Sequence, residues 1–381
     1  MLKKSTICLA IFSILSHSPL AQENDFESYL QKQDRQFEQF AAARLSEFED
    51  FVERWQAAEQ AYRTELSQHW DEVELTSQTR YVEYSDDQQQ RTIVDYENNQ
   101  VIIEIKTNAV ETPSPTQPEV SSDLLNQVNQ TLNRLTQTQV SDAVERDPIH
   151  RQVGGGQSSK AADAKLLEAD EVTVSEDNVQ VTDSDGVTRL TLQLPTNLSS
   201  RRANEALPQV KQEAERWNLP PALILAIIHT ESSFNPMARS PIPAFGLMQI
   251  VPQSAGRDVT EFLTGQQQLL SPEYLYNPQQ NIEAGSVYLH LLYNRYFNGV
   301  QDDRSRWYLS IAAYNTGPGN VTRTLTGRTN LRGARDKANQ MSSQALFDLL
   351  VNQLPAQETR LYLQKVTERE VFYQQQLGTI I

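Results

Sequence analysis

The sequence predicts an α+β protein in which a mainly α-helical C-terminal domain follows a small α/β N-terminal domain. Short runs with strand character lie between residues 80 and 195, whereas helical patterns dominate and strand signals are few from residue 201 onward. The net charge changes at the same place. Residues 1–200 carry 16 Lys and Arg against 34 Asp and Glu, and residues 201–381 carry 17 against 15. We therefore place the domains at residues 22–200 and 201–381.

The overall composition limits the partners. A chain of 381 residues is long enough for two cores, and its net charge of −16 argues against nucleic acid as the main partner. Binding phosphates requires clustered Lys and Arg, which the acidic half does not offer. The acidic N-terminal domain is instead a candidate for contacts with cell-envelope proteins, and we expect a monomer.

Residues 1–21 have the pattern of a secretory signal peptide. Lys3 and Lys4 precede an apolar run from Ile7 to Leu15, which is too short to span a bilayer, and cleavage after Ala21 is plausible. Cys8 is the only cysteine and lies within the signal, so the mature chain would have no thiol for disulfides, metal ligation or catalysis. No cysteine is placed for lipid attachment. We expect an exported, periplasmic protein without a metal or cofactor.

The N-terminal domain begins with a long helical pattern over residues 24–70, where apolar and aromatic residues recur at three- and four-residue steps. A Pro- and Thr-rich linker occupies residues 107–122, and residues 141–170 contain so few apolar side chains that we expect mobility there. A polar helix is predicted at 123–138. The predicted strands are 80–84, 92–96, 101–106, 171–181 and 186–195.

The C-terminal domain is predicted to be built of helices joined by loops. The expected helices are 201–217, 220–232, 251–262, 278–297, 303–316, 342–353 and 357–375.

The second of these helices contains the most informative residue. Pro220 and Pro221 favour a helix start, and the sequence ALILAII is apolar on all sides, as in a buried helix. Glu231 follows at the C-terminal end, where burial and the helix dipole both disfavour an ionised carboxylate. A carboxyl that stays protonated near neutral pH can act as a general acid in glycoside cleavage. The alternative is a surface glutamate just beyond a core helix.

Three further segments combine apolar residues with uncharged hydrogen-bonding side chains. They are Gly246–Gln249, Ala312–Gly319 and Glu358–Tyr362. Such a mixture suits a neutral polyhydroxylated ligand, whose rings stack on aromatic side chains and whose hydroxyls bond Gln, Asn and Tyr.

The order of these motifs, ESSFNP, GLMQ, AAYNTGPG and ETRLYLQKV, resembles that of the lytic murein transglycosylases of goose-lysozyme-like fold. The preceding YVEYSDDQQQRTIVDYENNQVIIEI is similar to the extra domain of the membrane-bound transglycosylase C type. The resemblance implies a lysozyme-like catalytic domain. It also implies cleavage of the β-1,4 bond between N-acetylmuramic acid and N-acetylglucosamine of peptidoglycan strands, leaving a 1,6-anhydro ring.

The resemblance also implies roles for individual residues. Glu231 falls at the catalytic acid, and a single carboxyl can serve as acid and then as base when the substrate acetamide stabilises the cationic centre. Tyr314 and Tyr362 would line the cleft beside it, although tyrosines in apolar segments are often only core residues. The substrate-binding positions are Ser240, which would contact the acetamide, Met248, Gln249, Asn315 and the supporting Glu358.

Other acidic residues show no obvious partnering role. The segments predicted to be ordinary helix or loop surface carry Asp258, Glu261, Glu273 and Glu283. We expect activity to fall as Glu231 ionises, with a pKa of about 6. Two alternatives remain: a goose-type lysozyme that uses water, and a non-catalytic peptidoglycan-binding protein.

Overall fold

The computed structural model of the chain describes residues 49–106, 121–153, 164–168, 174–175 and 178–379. Residues 51–381 belong to one compact unit, and of the residues before it only 49 and 50 are described. The predicted signal peptide, most of the predicted linker and the first half of the predicted long helix therefore lie outside the described residues. The described part of that helix, α1, covers residues 49–66.

A five-stranded antiparallel sheet forms the centre of the N-terminal part. Its strands are β1 (Arg80–Tyr84), β2 (Gln90–Asp95), β3 (Gln100–Lys106), β4 (Val179–Ser184) and β5 (Val187–Gln193), in the order β1-β2-β3-β5-β4. Four of the predicted strands are present with nearly the predicted bounds. The prediction of a strand at 171–181 is wrong in its bounds, because β4 begins only at Val179 and residues 174 and 175 are not in a strand; residues 171–173 and 176–177 lie outside the described part. The β4–β5 turn uses Asp185 and Gly186, both with positive φ, which is typical of two-residue hairpins.

Three helices lie between the strands: α2 (Ser122–Gln137), α3 (Val140–Arg146) and α4 (Pro148–Val153). The predicted mobility of residues 141–170 is therefore wrong for 141–153. The apolar residues there are few, but Val144 and Ile149 are buried, and so are Leu166 and Leu167 further along. A small number of well-placed apolar side chains is enough to attach this segment to the core. Residues 154–163 lie outside the described part.

The rest of the chain is helical. The elements are α5 (Leu198–Trp217), α6 (Pro221–Ser232), a π-helical turn (Pro252–Gly256), α7 (Arg257–Thr264), α8 (Pro272–Tyr276), α9 (Pro278–Leu291), a second π-helical turn (Leu292–Tyr296), α10 (Asp303–Thr316), α11 (Pro318–Thr326), α12 (Leu331–Asn339), α13 (Ser343–Gln353) and α14 (Gln357–Thr379). The prediction missed α8, α11 and α12, which are short. The fold class, mainly helical with a small antiparallel sheet, is confirmed.

Helix α6 is the centre of the helical part, packed against α5 and α14. Its residues 222–228 are all buried, as the unbroken apolar run predicts. Within the described residues, no helix combines the length and apolarity needed to cross a bilayer. The predicted domain boundary after residue 200 falls inside α5 and stays a prediction.

Candidate active site

Glu231 lies in the last turn of α6 and is 7% exposed. The helix ends at once after it, because Ser233 adopts the left-handed conformation with a φ of 50°. The carboxyl therefore stands at the end of an apolar helix, in the position that the sequence predicts.

The pKa of Glu231 is raised to about 8, mainly by burial; an interaction with the Tyr362 hydroxyl lowers it and the charge of Glu358 raises it. Glu231 is therefore mostly protonated at neutral pH. The sequence prediction of about 6 was too low, because it did not anticipate how completely the carboxyl is buried. No Lys or Arg among the described residues forms an ion pair with it.

Tyr362, in α14, is buried next to Glu231, whose negative charge helps to raise the tyrosine pKa after burial itself. Its hydroxyl has no hydrogen-bond partner of full geometry among the described residues. The interaction with the Glu231 carboxyl is therefore a weak one in this conformation. An unsatisfied buried hydroxyl beside the acid can strengthen its bond when the acid ionises.

Tyr314, in α10, is the second buried tyrosine near Glu231. Its hydroxyl donates a hydrogen bond to the Met248 carbonyl oxygen at 2.9 Å, and its ring centroid lies 5.4 Å from that of Tyr288. Burial raises its pKa, and the charge of Glu231 adds to the effect. Both predicted tyrosines are thus next to the predicted acid.

Tyr314 also lines a cavity of about 560 Å³. Its lining includes two of the predicted substrate-binding residues, Gln249 and Asn315, together with Tyr288 and Tyr296. The other predicted site residues are not part of this lining. Glu231 itself is not among the lining residues; the link between it and the cavity is Tyr314, which lines the cavity and whose pKa the charge of Glu231 raises.

Gln249 has a side-chain orientation that suits ligand binding. Its Nε2 donates to the Gly246 carbonyl oxygen at 3.0 Å, which fixes the amide, and its Oε1 is buried with no hydrogen-bond partner in the described part of the chain. An acceptor held in this way favours a ligand that brings an N–H or O–H donor. The residue also has a positive φ of 48°.

Met248 belongs to the same loop, residues 246–249, and holds it through buried contacts. Its side chain is fully buried against Gly285, where a Cβ atom would come within 2.3 Å of the sulfur. Its backbone N–H donates to the Asn281 Oδ1 at 2.7 Å. These contacts hold the loop in place, and the predicted substrate contact of Met248 stays a prediction.

Ser240 and Glu358 occupy more open positions. The Ser240 hydroxyl donates to the Ile242 carbonyl oxygen and accepts from the Ala244 N–H at 3.1 Å, which closes a small loop. Glu358 is exposed in the first turn of α14 and affects Glu231 through its charge. Their predicted roles with the substrate stay predictions.

Two acidic residues differ from the prediction of ordinary surface. Asp258 lines the cavity, where burial raises its pKa and the Tyr296 hydroxyl donates to it at 2.8 Å. Glu273 is buried and lies 3.0 Å from the His150 Nε2. No local sequence signal marks either residue, because each is enclosed by segments distant in the sequence.

Comparison with known proteins agrees with the motifs. Residues 208–336 match the family model of the transglycosylase SLT domain. Over 184 residues, 48% of this chain, the sequence is 42% identical to the membrane-bound lytic murein transglycosylase C of Yersinia enterocolitica, covering 51% of that protein. The protein of the same name from Pectobacterium atrosepticum is 42% identical over 188 residues, with the same coverage.

The chain thus spans about half the length of the curated relatives it matches. The predicted resemblance to lytic murein transglycosylases, and to their C type, is confirmed for this segment. Among solved structures, the lytic transglycosylase Slt of Pseudomonas aeruginosa is 32% identical, covering 45% of this chain and 24% of that one. Its TM-score of 0.35 is too low to support an argument.

Proposed function

We propose that this protein is a peptidoglycan lytic transglycosylase. It would cleave the β-1,4 bond between N-acetylmuramic acid and N-acetylglucosamine and leave 1,6-anhydromuramyl ends. The observation that supports this most is Glu231, a buried carboxyl with a pKa of about 8 that interacts with two buried tyrosines, one of which, Tyr314, lines a cavity. Such an acid holds its proton at neutral pH until a leaving group is present.

In the first step the protonated Glu231 gives its proton to the glycosidic oxygen, and the bond from that oxygen to the muramyl C1 breaks. The acetamide of the substrate stabilises the positive charge that develops at C1. Ser240, on the loop after α6, is placed in sequence to contact that acetamide, as the resemblance implies.

In the second step the Glu231 carboxylate takes the proton of the muramyl C6 hydroxyl, whose oxygen bonds to C1 and closes the anhydro ring. The acid is thereby protonated again, and no water is consumed. The Tyr362 hydroxyl favours the carboxylate between the two steps, since its interaction lowers the pKa of Glu231.

The cavity would hold the glycan next to this acid. Gln249 offers a buried acceptor to a hydroxyl or amide N–H, and Asn315 lies on the same lining beside Tyr314. Uncharged groups of this kind match neutral sugars, which carry many donors and few charges.

A single carboxyl is sufficient for this mechanism, although most glycosidases use two. Asp258 lines the cavity but is hydrogen-bonded to Tyr296, and it is absent from the groups that shift the pKa of Glu231. Glu358 is exposed and acts on Glu231 by charge repulsion. We assign neither residue the part of nucleophile.

The test is a digest of purified sacculi followed by mass spectrometry of the soluble products. We expect 1,6-anhydromuramyl ends from the wild-type protein. Glu231→Gln should reduce turnover about 1000-fold or more, since general acid–base catalysis contributes up to roughly four orders of magnitude. The matched control is Glu215→Gln on the exposed face of α5, which should leave turnover unchanged.

Reducing ends in place of anhydro ends would identify a hydrolase and overturn the proposal. Intact sacculi after incubation with wild-type protein would instead identify a binding protein.

We also propose that the protein acts in the periplasm. The N-terminal Lys3 and Lys4 followed by an apolar run support export, and the similar proteins of Yersinia enterocolitica and Pectobacterium atrosepticum are membrane-bound by name. Fractionation of cells expressing the full chain should recover it in the periplasmic or membrane fraction, and recovery from the cytosol alone would contradict the proposal.

A further inference from the structure

The loop between α6 and Ser240 has an unusual backbone. Ser233 and Phe234 follow Glu231 closely and both have positive φ, 50° and 66°, although neither is glycine. Each such residue costs about 1–3 kcal/mol and persists only where surrounding contacts determine the conformation. The contacts that hold this loop therefore influence where Glu231 stands.

Several of those contacts come from a part of the chain outside the SLT match at 208–336. The Asn235 amide donates to the carbonyl oxygens of Ser77 and Gln78, at 3.2 Å each. The backbone N–H of Arg239 donates to the same Ser77 oxygen at 3.3 Å. Residues 76–78, the support segment, thus bond the loop at two points.

The Arg239 side chain makes the third attachment. Its guanidinium is buried, forms an ion pair with Asp147 at 2.7 Å and donates from Nε to the Thr76 carbonyl oxygen at 3.3 Å. It also lies 5.8 Å from the ring centroid of Trp55. Asp147 comes from the junction of α3 and α4.

A buried ion pair contributes little net stability, because the cost of desolvating both charges offsets their attraction. Its effect is directional: a guanidinium with fixed donors holds both partners in one geometry. In this protein the geometry is that of the loop joining Glu231 to Ser240.

We propose that the support segment, together with Asp147, holds the loop between α6 and Ser240 in the conformation required for catalysis. It does so through Arg239, which is a positioning residue. This inference rests on the proposed function, because it concerns the reaction assigned to Glu231. The N-terminal part of the chain would then be a component of the active site's framework.

The test uses the full-length protein with Arg239→Met, which keeps the length of the side chain but removes its charge and donors. We expect kcat on soluble, uncross-linked glycan strands to fall by about 10- to 100-fold, the effect of displacing a reacting group by roughly 1 Å. KM should change little, because the cavity residues are untouched.

The pH profile gives a second measurement. A relaxed loop would admit water to Glu231, so the basic limb of kcat should move to lower pH than in the wild type. The groups that face Glu231 from α10 and α14, Tyr314, Tyr362 and Glu358, are unchanged by the substitution.

The matched control is Arg91→Met. Arg91 is also a buried guanidinium paired with a buried carboxylate, but its partner Glu104 lies in the sheet. This variant should lose comparable stability in urea, yet kcat per folded molecule and the basic limb should match the wild type.

Asp147→Asn is the milder variant in case Arg239→Met does not fold. It keeps the side-chain shape and the cap on the His150 N–H while removing one charge, so kcat should fall less than in Arg239→Met. Unchanged kcat and pH profile in the folded Arg239→Met variant, or in Asp147→Asn if the former is unfolded, would overturn the inference. An equal kcat loss in Arg91→Met would overturn it too.

The failure of the proposed function gives a different result, namely no anhydro product from the wild-type protein itself.

Discussion

Glu104 and Glu231 are both buried glutamates, yet their surroundings are opposite. Glu104 lies in β3 and is 1% exposed. Its carboxylate forms ion pairs with Arg91 of β2 and Arg189 of β5, the residues directly opposite it in the neighbouring strands. Glu231 is 7% exposed, and no described Lys or Arg pairs with it. The sheet thus neutralises its buried carboxylate with cations, whereas the helical site neutralises its carboxyl with a proton.

The difference distinguishes a carboxylate that stabilises the fold from a carboxyl that can take part in a reaction. A carboxylate held between two guanidinium groups is ionised and fixed, and it has no proton to give. A carboxyl buried without a cation keeps its proton at neutral pH and can deliver it to a substrate. The cost is a folded state that becomes less stable as the pH rises.

The largest expected effect concerns the paired carboxylate. Glu104→Gln leaves two cations facing a neutral amide, and Arg91 is itself buried. We expect a loss of about 3–5 kcal/mol in the free energy of unfolding, the usual cost of breaking a buried pair. Urea denaturation at pH 7 measures it, with Asp86→Asn in the exposed β1–β2 turn as the control.

Turnover per folded molecule should be unchanged in Glu104→Gln. A loss of stability no larger than that of the control would show that the ion pairs of Glu104 do not stabilise the folded protein.

Glu231→Gln should have the opposite effect on stability. The pKa of Glu231 is about 8 in the folded protein against 4.5 for the free group, so the folded state binds the extra proton. Stability from this group is complete below pH 4.5 and falls as the pH rises to 8. By pH 7.5 the wild type should have lost about 3–4 kcal/mol that the variant keeps.

The measurement is urea denaturation of both proteins at pH 5 and pH 7.5. The wild type should lose more stability than Glu231→Gln between the two values, since all other titrating groups are common to both. Parallel losses in the two proteins would mean that Glu231 is ionised at neutral pH.

Much of this arrangement follows from local sequence patterns. The apolar run of α6 predicts burial of the helix and of the acid at its end, and the motif order predicts that Tyr314 and Tyr362 meet Glu231. The strand pattern predicts the sheet, because alternating apolar side chains must bury one face. The buried helix and the strands depend on residues close together in the sequence, whereas the position of the two tyrosines beside Glu231 was implied only by the family resemblance.

The features that the sequence did not predict depend on distant contacts. Asp258 lines the cavity because Tyr296 and Tyr314 approach it from other elements, and Arg239 is held by Asp147, 92 residues earlier. Helices α11 and α12 are short, and their few buried apolar residues, although at helical spacing, are too few to indicate a helix. Pairing across such separations leaves no pattern in a single sequence.

The smallest expected effect concerns the two tyrosines beside the acid. Tyr314 donates to the Met248 carbonyl oxygen at 2.9 Å, so Tyr314→Phe should leave that buried oxygen unpaired and cost about 1–3 kcal/mol of stability. The Tyr362 hydroxyl has no such partner among the described residues, and Tyr362→Phe should cost little stability.

Tyr362→Phe should instead change the chemistry. Its hydroxyl lowers the pKa of Glu231, so its removal should raise that pKa and move the basic limb of kcat to higher pH. The carboxylate formed between the two steps would lose one hydrogen bond, roughly 1.5 kcal/mol, and kcat should fall about 10-fold. A pH–rate profile with melting curves separates the two tyrosines; a basic limb unmoved in Tyr362→Phe would mean that the carboxylate is stabilised by another group. In that case the only difference between the surroundings of Glu231 and those of Glu104 would be the absence of cations, and the Tyr362 hydroxyl would not stabilise the Glu231 carboxylate.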